Sequence, residues 1–159
     1  MTDLQRPGSR AGVVLRGRTV VPGAVTGEAL VSPATISGWG GIDPAGGTII
    51  EARHPLAGVC FTGKILVFPG AKGSSGWSGF FQTTRLLGTA PIGLVFAVTT
   101  TKAALGAVVT RVPALADLDA DPVAVLRTGD RIRLDATAGT VELLDRPDTT
   151  VTPDARGDR

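Results

Sequence analysis

The segment Gly70-Ala71-Lys72-Gly73-Ser74-Ser75-Gly76 offers the most chemistry in this chain. Its glycines allow close backbone approach to a ligand, Lys72 supplies a positive charge, and the hydroxyls of Ser74 and Ser75 can donate or accept a hydrogen bond. Beyond it, Trp77, Phe80, Phe81, Thr84 and Leu87 fall near helical spacing, and Gly88 is a natural stop. A Gly-Ser loop feeding a helix start gathers free backbone N–H groups and the positive end of a dipole, so an anionic group is expected to bind there. Ser74 or Ser75 has the ordinary alternative of capping the helix, the commoner use of serine in such a place.

Other reactive side chains are few. His54, in Arg53-His54-Pro55-Leu56, is the only imidazole; a loop histidine with a local hydrogen bond fits it at least as well as catalysis. Cys60 lies between Val59 and Phe61 and reads as core packing. One cysteine and one histidine cannot make an internal disulfide or, alone, a metal site. The stretch from Gly58 to Lys64 nearly matches a nucleotide-hydrolase phosphate loop. However, Ile65 stands where a metal-binding Ser or Thr is required, and Lys64 leads into a strand, which excludes nucleotide hydrolysis. No Ser, His and Asp arrangement or carboxylate pair indicates acyl transfer or glycoside chemistry.

The elements that must position these groups fit one core in 159 residues. Residues 1–12 and 145–159 are polar and read as flexible tails around a folded body at 13–144. Residues 13–20 and 25–31 are β-rich around Pro22-Gly23 and predict an opening hairpin. Residues 37–44 form a Gly-rich loop that Trp39 is expected to pin. Residues 63–69, 91–98 and 112–115 read as buried strands alternating with helices at 77–87 and 101–109, hence a parallel layer with right-handed crossovers. Residues 131–135 and 140–144 read as a closing hairpin, and the two hairpins as a second β layer on this α/β unit. The net charge of +2, with sixteen Lys and Arg dispersed along the chain, gives no basic stripe and argues against nucleic acid. The longest apolar run, residues 90–98, is too short to span a bilayer, and the lone thiol fits a reducing cytoplasm.

The order Trp39-Gly40-Gly41-Ile42-Asp43-Pro44, His54-Pro55-Leu56-Ala57-Gly58, Gly63-Lys64-Ile65-Leu66-Val67-Phe68-Pro69, Lys72-Gly73-Ser74-Ser75, Gly88-Thr89-Ala90-Pro91, Leu105-Gly106-Ala107 and Thr128-Gly129-Asp130 resembles the small subunit of aconitase X enzymes over roughly residues 18–144. That family includes phosphomevalonate dehydratase and cis-3-hydroxy-L-proline dehydratase. The resemblance implies a swivelling three-layer β/β/α domain, aconitase swivel-like, that closes on a large subunit carrying an iron–sulfur cluster, with no cofactor bound by this chain. It implies a hydro-lyase subunit acting on a small hydroxy acid, cis-3-hydroxy-L-proline first and 5-phosphomevalonate otherwise. It also implies Ser74 as proton acceptor, with Lys72, Gly73, Ser75 and Gly76 at the substrate. Trp77 and residues 99–101 depart from the family pattern, and the indole is expected to narrow the pocket. The alternative is a non-catalytic ligand-binding or phosphocarrier-like swivelling module; His54 argues against it, because it precedes the central strand and does not sit at a helix start.

Overall fold

The computed structural model describes residues 12–73 and 76–147. Strands β1 (Val14–Arg16), β2 (Arg18–Val21) and β3 (Ala24–Val31) come first, followed by the two-residue strands β4 (Ile36–Ser37), β5 (Ile42–Asp43) and β6 (Thr48–Ile49). Next are β7 (Ile65–Phe68), β8 (Ala71–Lys72), helix α1 (Trp77–Leu87), β9 (Gly93–Phe96), helix α2 (Thr101–Thr110) and β10 (Ala114–Ala116). The short helix α3 (Pro122–Val125), β11 (Arg131–Asp135) and β12 (Thr140–Asp145) complete the described chain.

The apolar runs expected to be doubly buried strands are β7, β9 and β10, mutually parallel and buried at every position. Successive strand residues face opposite ways, so these runs serve two cores. Leu66, Phe68, Leu94, Phe96, Ala114 and Ala116 pack with Trp77, Phe81, Ala103 and Ala107 of the helices. Ile65, Val67, Val95 and Leu115 pack instead with Leu15, Ile132, Leu134, Val141 and Leu143. The parallel strands are therefore the middle layer between helices and a second sheet, the β/β/α order the resemblance implies.

The opening hairpin does not form. Strands run in the order β1-β12-β11-β3-β7-β9-β10-β2, so β2 and β3, adjacent in sequence, are far apart in the sheet. Pro22-Gly23 does turn the chain, with Gly23 at φ +133°, but its backbone bonds the turn after β11: the Gly23 N–H donates to Thr137 Oγ1 at 2.8 Å and the Gly23 carbonyl accepts from the Ala136 N–H at 2.8 Å. β2 pairs with β10, while β3 pairs antiparallel with β11 and parallel with β7, linking the two sheet layers. A lone two-stranded hairpin would have left β3 without these two ladders and the burial they bring.

The closing hairpin of β11 and β12 is present, with Leu134 opposite Val141 and Ile132 opposite Leu143. The ordered body runs past residue 144: Asp145 ends β12, and Arg146 donates from Nε and Nη2 to the two Asp130 carboxylate oxygens at 2.8 Å each. Residues 1–11 and 148–159 of the expected tails lie outside the described residues.

Candidate functional site

The loop from Gly70 to Gly76 leaves the C-terminal end of β7, the edge at which open parallel sheets commonly bind ligands. Ser74 and Ser75 lie outside the described residues; their neighbours are defined. Ala71 and Lys72 pair in parallel with Ile36 and Ser37, and the Ile36 N–H donates to the Gly70 carbonyl at 3.1 Å. Gly73 adopts φ +97°, a left-handed conformation that glycine takes cheaply, and an added Cβ would meet Ser37 Oγ at 3.2 Å. Gly76 is the N-cap of α1, in helical dihedrals and without a side-chain cap bond. The residue before α1 is thus a glycine, and the capping expected of Ser74 or Ser75 falls on residues outside those described. Gly88 ends the helix as expected, at φ +77°.

Each lysine at this edge is bonded within the chain. Lys72 Nζ donates to Glu51 Oε2 at 3.0 Å; Glu51 Oε1 is enclosed and has no hydrogen-bond partner among the described residues. Lys102, in the first turn of α2, donates from Nζ to the Gly73 carbonyl. Neither α1 nor α2 has an acidic residue in its first turn, so both positive helix ends remain uncompensated there. This arrangement can hold a carboxylate or phosphate beside the Gly-Ser loop. Sequence reasoning missed Glu51 and Lys102. Their only signal was charge, since the β4–β8 pairing and the packing of α2 are long-range.

His54 has the local structural role. The Leu56 N–H donates to Nδ1 at 3.0 Å, so Nδ1 is an acceptor, and the proton on Nε2 faces the Thr35 carbonyl at 3.2 Å and Ser32 Oγ at 3.3 Å. The ring is 6% exposed, and it fixes the segment that carries Glu51, whose carbonyl accepts from the His54 N–H at 3.0 Å.

Two expectations are overturned. Trp77 does not narrow a pocket: it is 1% exposed, stacks on Phe81 with centroids 4.3 Å apart, and donates from Nε1 to the Ile36 carbonyl at 2.8 Å. Its size is used to anchor α1 and the β4 segment to the core. Cys60 is not core: it is exposed, with Sγ 3.8 Å from the Gly46 carbonyl. The side-chain and backbone hydrogen bonds of Thr62 lower its thiol below the ordinary range, aided by Lys64 and opposed by slight burial.

Asp117, after β10, holds the loop after β9. The Thr99 N–H donates to Oδ1 at 3.0 Å, Thr99 Oγ1 to Oδ2 at 2.9 Å, and Arg18 also donates to Oδ2. The Thr99 N–H, then Arg18, keep this carboxyl below the usual carboxylate range. Trp39 is 76% exposed but stacks on Phe80 at 5.6 Å, so it does pin its loop, against α1. With Ile42, Pro44 and Ile50 the pair lines an open apolar groove of about 580 Å³.

A family model, described as the aconitase X swivel domain, matches residues 14–143. The chain belongs to the aconitase X swivel domain family. The phosphomevalonate dehydratase small subunit of Methanococcoides burtonii is 35% identical over 129 residues, which cover 81% of this chain and 94% of that one. The protein of the same name from Thermococcus gammatolerans is 38% identical over 131 residues, 82% and 98% of the two chains. Among solved structures, Thermococcus kodakaraensis aconitase X in its holo-form superposes with a TM-score of 0.80 at 36% identity, covering 84% of this chain and all of that one. The solution structure of a UPF0107 protein gives 0.76 at 36% identity, with the same coverages.

The resemblance read from the sequence is borne out, and with it the swivel fold and the dehydratase-subunit class that the relatives' names carry. An iron–sulfur cluster does not fit this chain: cluster ligation takes several thiolates, and the sequence has one cysteine. No three His, Cys, Asp or Glu side chains gather among the described residues. No described helix is long and apolar enough to cross a membrane.

Proposed function

We propose that this chain is the small, swivelling subunit of an aconitase X type hydro-lyase, completed by a large subunit that carries the iron–sulfur cluster, with Ser74 as proton acceptor. The observation that carries this reading is the likeness, at 35% and 38% identity, to small subunits of phosphomevalonate dehydratase over nearly their whole length. The site supports it. Dehydration needs a base for the proton on the carbon beside the one that loses its hydroxyl. A serine oxygen becomes that base only where N–H donors, a helix dipole and exclusion of water favour its anion. Lys72, Gly73, Ser75 and Gly76 are the proposed substrate contacts, and any use of Lys72 toward substrate competes with Glu51.

The substrate reading moves from cis-3-hydroxy-L-proline, the first expectation, to 5-phosphomevalonate, because the relatives' names support the phosphorylated acid. A positive edge formed by two helix starts and two lysines suits a phosphate or a carboxylate. The exposed apolar groove at Trp39 suits contact with the large subunit. The phosphocarrier alternative loses ground, since His54 is buried and both its ring nitrogens are engaged.

The test is the anaerobically reconstituted pair, assayed with 5-phosphomevalonate and with cis-3-hydroxy-L-proline. Ser74→Ala should lower kcat by roughly 10²- to 10⁴-fold, the range for losing a positioned base, while the subunits still associate. Unchanged turnover would remove Ser74 from the mechanism.

A further inference from the structure

We infer that Lys102 is a positioning residue of the Gly-Ser loop, locking the backbone of Gly73 from the first turn of α2; this rests on the dehydratase reading above only for its effect on turnover. Gly73 has a left-handed backbone, and its carbonyl accepts from Lys102 Nζ. In sequence, Gly73 immediately precedes Ser74. Lys102 is itself held by the packing of α2. Gly106, one helical turn along the same face, lies so close to the Trp77 ring that an added Cβ would come within 2.1 Å of Cζ3. Trp77 begins α1, so one indole sets how closely α2 approaches the start of α1. Upstream, the Thr100 hydroxyl caps α2 by accepting from the Ala103 N–H at 3.2 Å, and Asp117 binds neighbouring Thr99.

A cation in the first turn opposes the helix dipole, and α2 has no acidic residue there to offset it. Lys102 is thus poorly placed for the stability of its own helix and well placed for the loop. A lysine with a merely structural role would lower the melting temperature when removed. Lys102→Met should leave Tm unchanged or slightly raised, because the unfavourable charge at the helix start is gone.

The experiment has two arms. Hydrogen–deuterium exchange on the full chain should show the amides of Gly73, Gly76 and Trp77 exchanging about five- to tenfold faster in Lys102→Met, as expected for one lost hydrogen bond, with α2 unchanged and partial restoration in Lys102→Arg. In the reconstituted pair, Lys102→Met should lower kcat on the order of ten- to a hundredfold with KM changed less than about threefold, and Lys102→Arg should recover part of the loss. Loop exchange equal to the wild type overturns the inference. So does a raised KM with unchanged kcat, which would make Lys102 a substrate contact. A wild-type pair without turnover on any hydroxy acid counts against the dehydratase reading alone, and the exchange arm still decides Lys102.

Discussion

Single residues in this chain act through the groups that surround them, and chemical type alone misassigns two of them. Cys60 looks apolar between Val59 and Phe61, yet it is exposed where it makes a single β-bridge to Thr48, while its neighbour Phe61 is fully buried. The Thr62 hydroxyl donates to the Thr89 carbonyl at 2.8 Å, and redirecting that hydrogen toward sulfur stabilises a thiolate. Alkylation of Cys60 followed against pH should therefore show an inflection below that of a simple thiol. Thr62→Val should move the inflection upward, slowing the reaction near neutrality; an inflection that stays in place contradicts this account. His54 shows the opposite case, a reactive type turned into a fastener because each nitrogen has a backbone partner.

Among the elements, the contact of α1 with α2 decides where the candidate site's groups lie. Gly106 lets the two helices close over Trp77 with no side chain between them. Gly106→Ala would ordinarily favour a helix by up to about 1 kcal/mol, but here a methyl group must displace a buried ring, an overpacking that costs about 1–3 kcal/mol. A net loss of stability is expected in denaturant titration. Gly79, exposed in α1 with nothing within 4 Å of an added Cβ, is the matched control, and Gly79→Ala should raise stability by about 0.5–1 kcal/mol. If both substitutions stabilise, the close approach at Trp77 is not limiting.

For the molecule as a whole, the second β layer is closed at its end by Arg146 and Asp130. Their side chains are 9% and 1% exposed; Arg146 also donates to the Val125 carbonyl and Asp130 accepts from the Arg127 N–H, each at 2.8 Å. Removing one partner of such a buried pair leaves an uncompensated charge, so Arg146→Ala should cost about 3–5 kcal/mol in denaturant titration. A loss below about 1 kcal/mol would mean that the pair contributes no more than a surface salt bridge. The pair ties α3, β11 and the residue after β12 together, so the loss should appear as global destabilisation and not as fraying of the last strand alone.

The sequence by itself determined the local and periodic features: the buried runs of β7 and β9, both long helices, the Gly88 stop, the β11–β12 hairpin and, through the ordered motifs, the family. These features depend on neighbours within a few residues, where propensity, periodicity and turn chemistry act directly. The tertiary structure alone decided what depends on residues far apart in the chain. It separated β2 from β3 although a good turn joins them, because β10, β11 and β7 offered better ladders. It buried Trp77, exposed Cys60, and brought Glu51 and Lys102 to the loop at Lys72 and Gly73 from 21 and 29 residues away. A charged side chain carries no periodic mark of the partner it will meet. Its place in a site follows only when the sheet order and the packing of the helices have fixed which loops are neighbours.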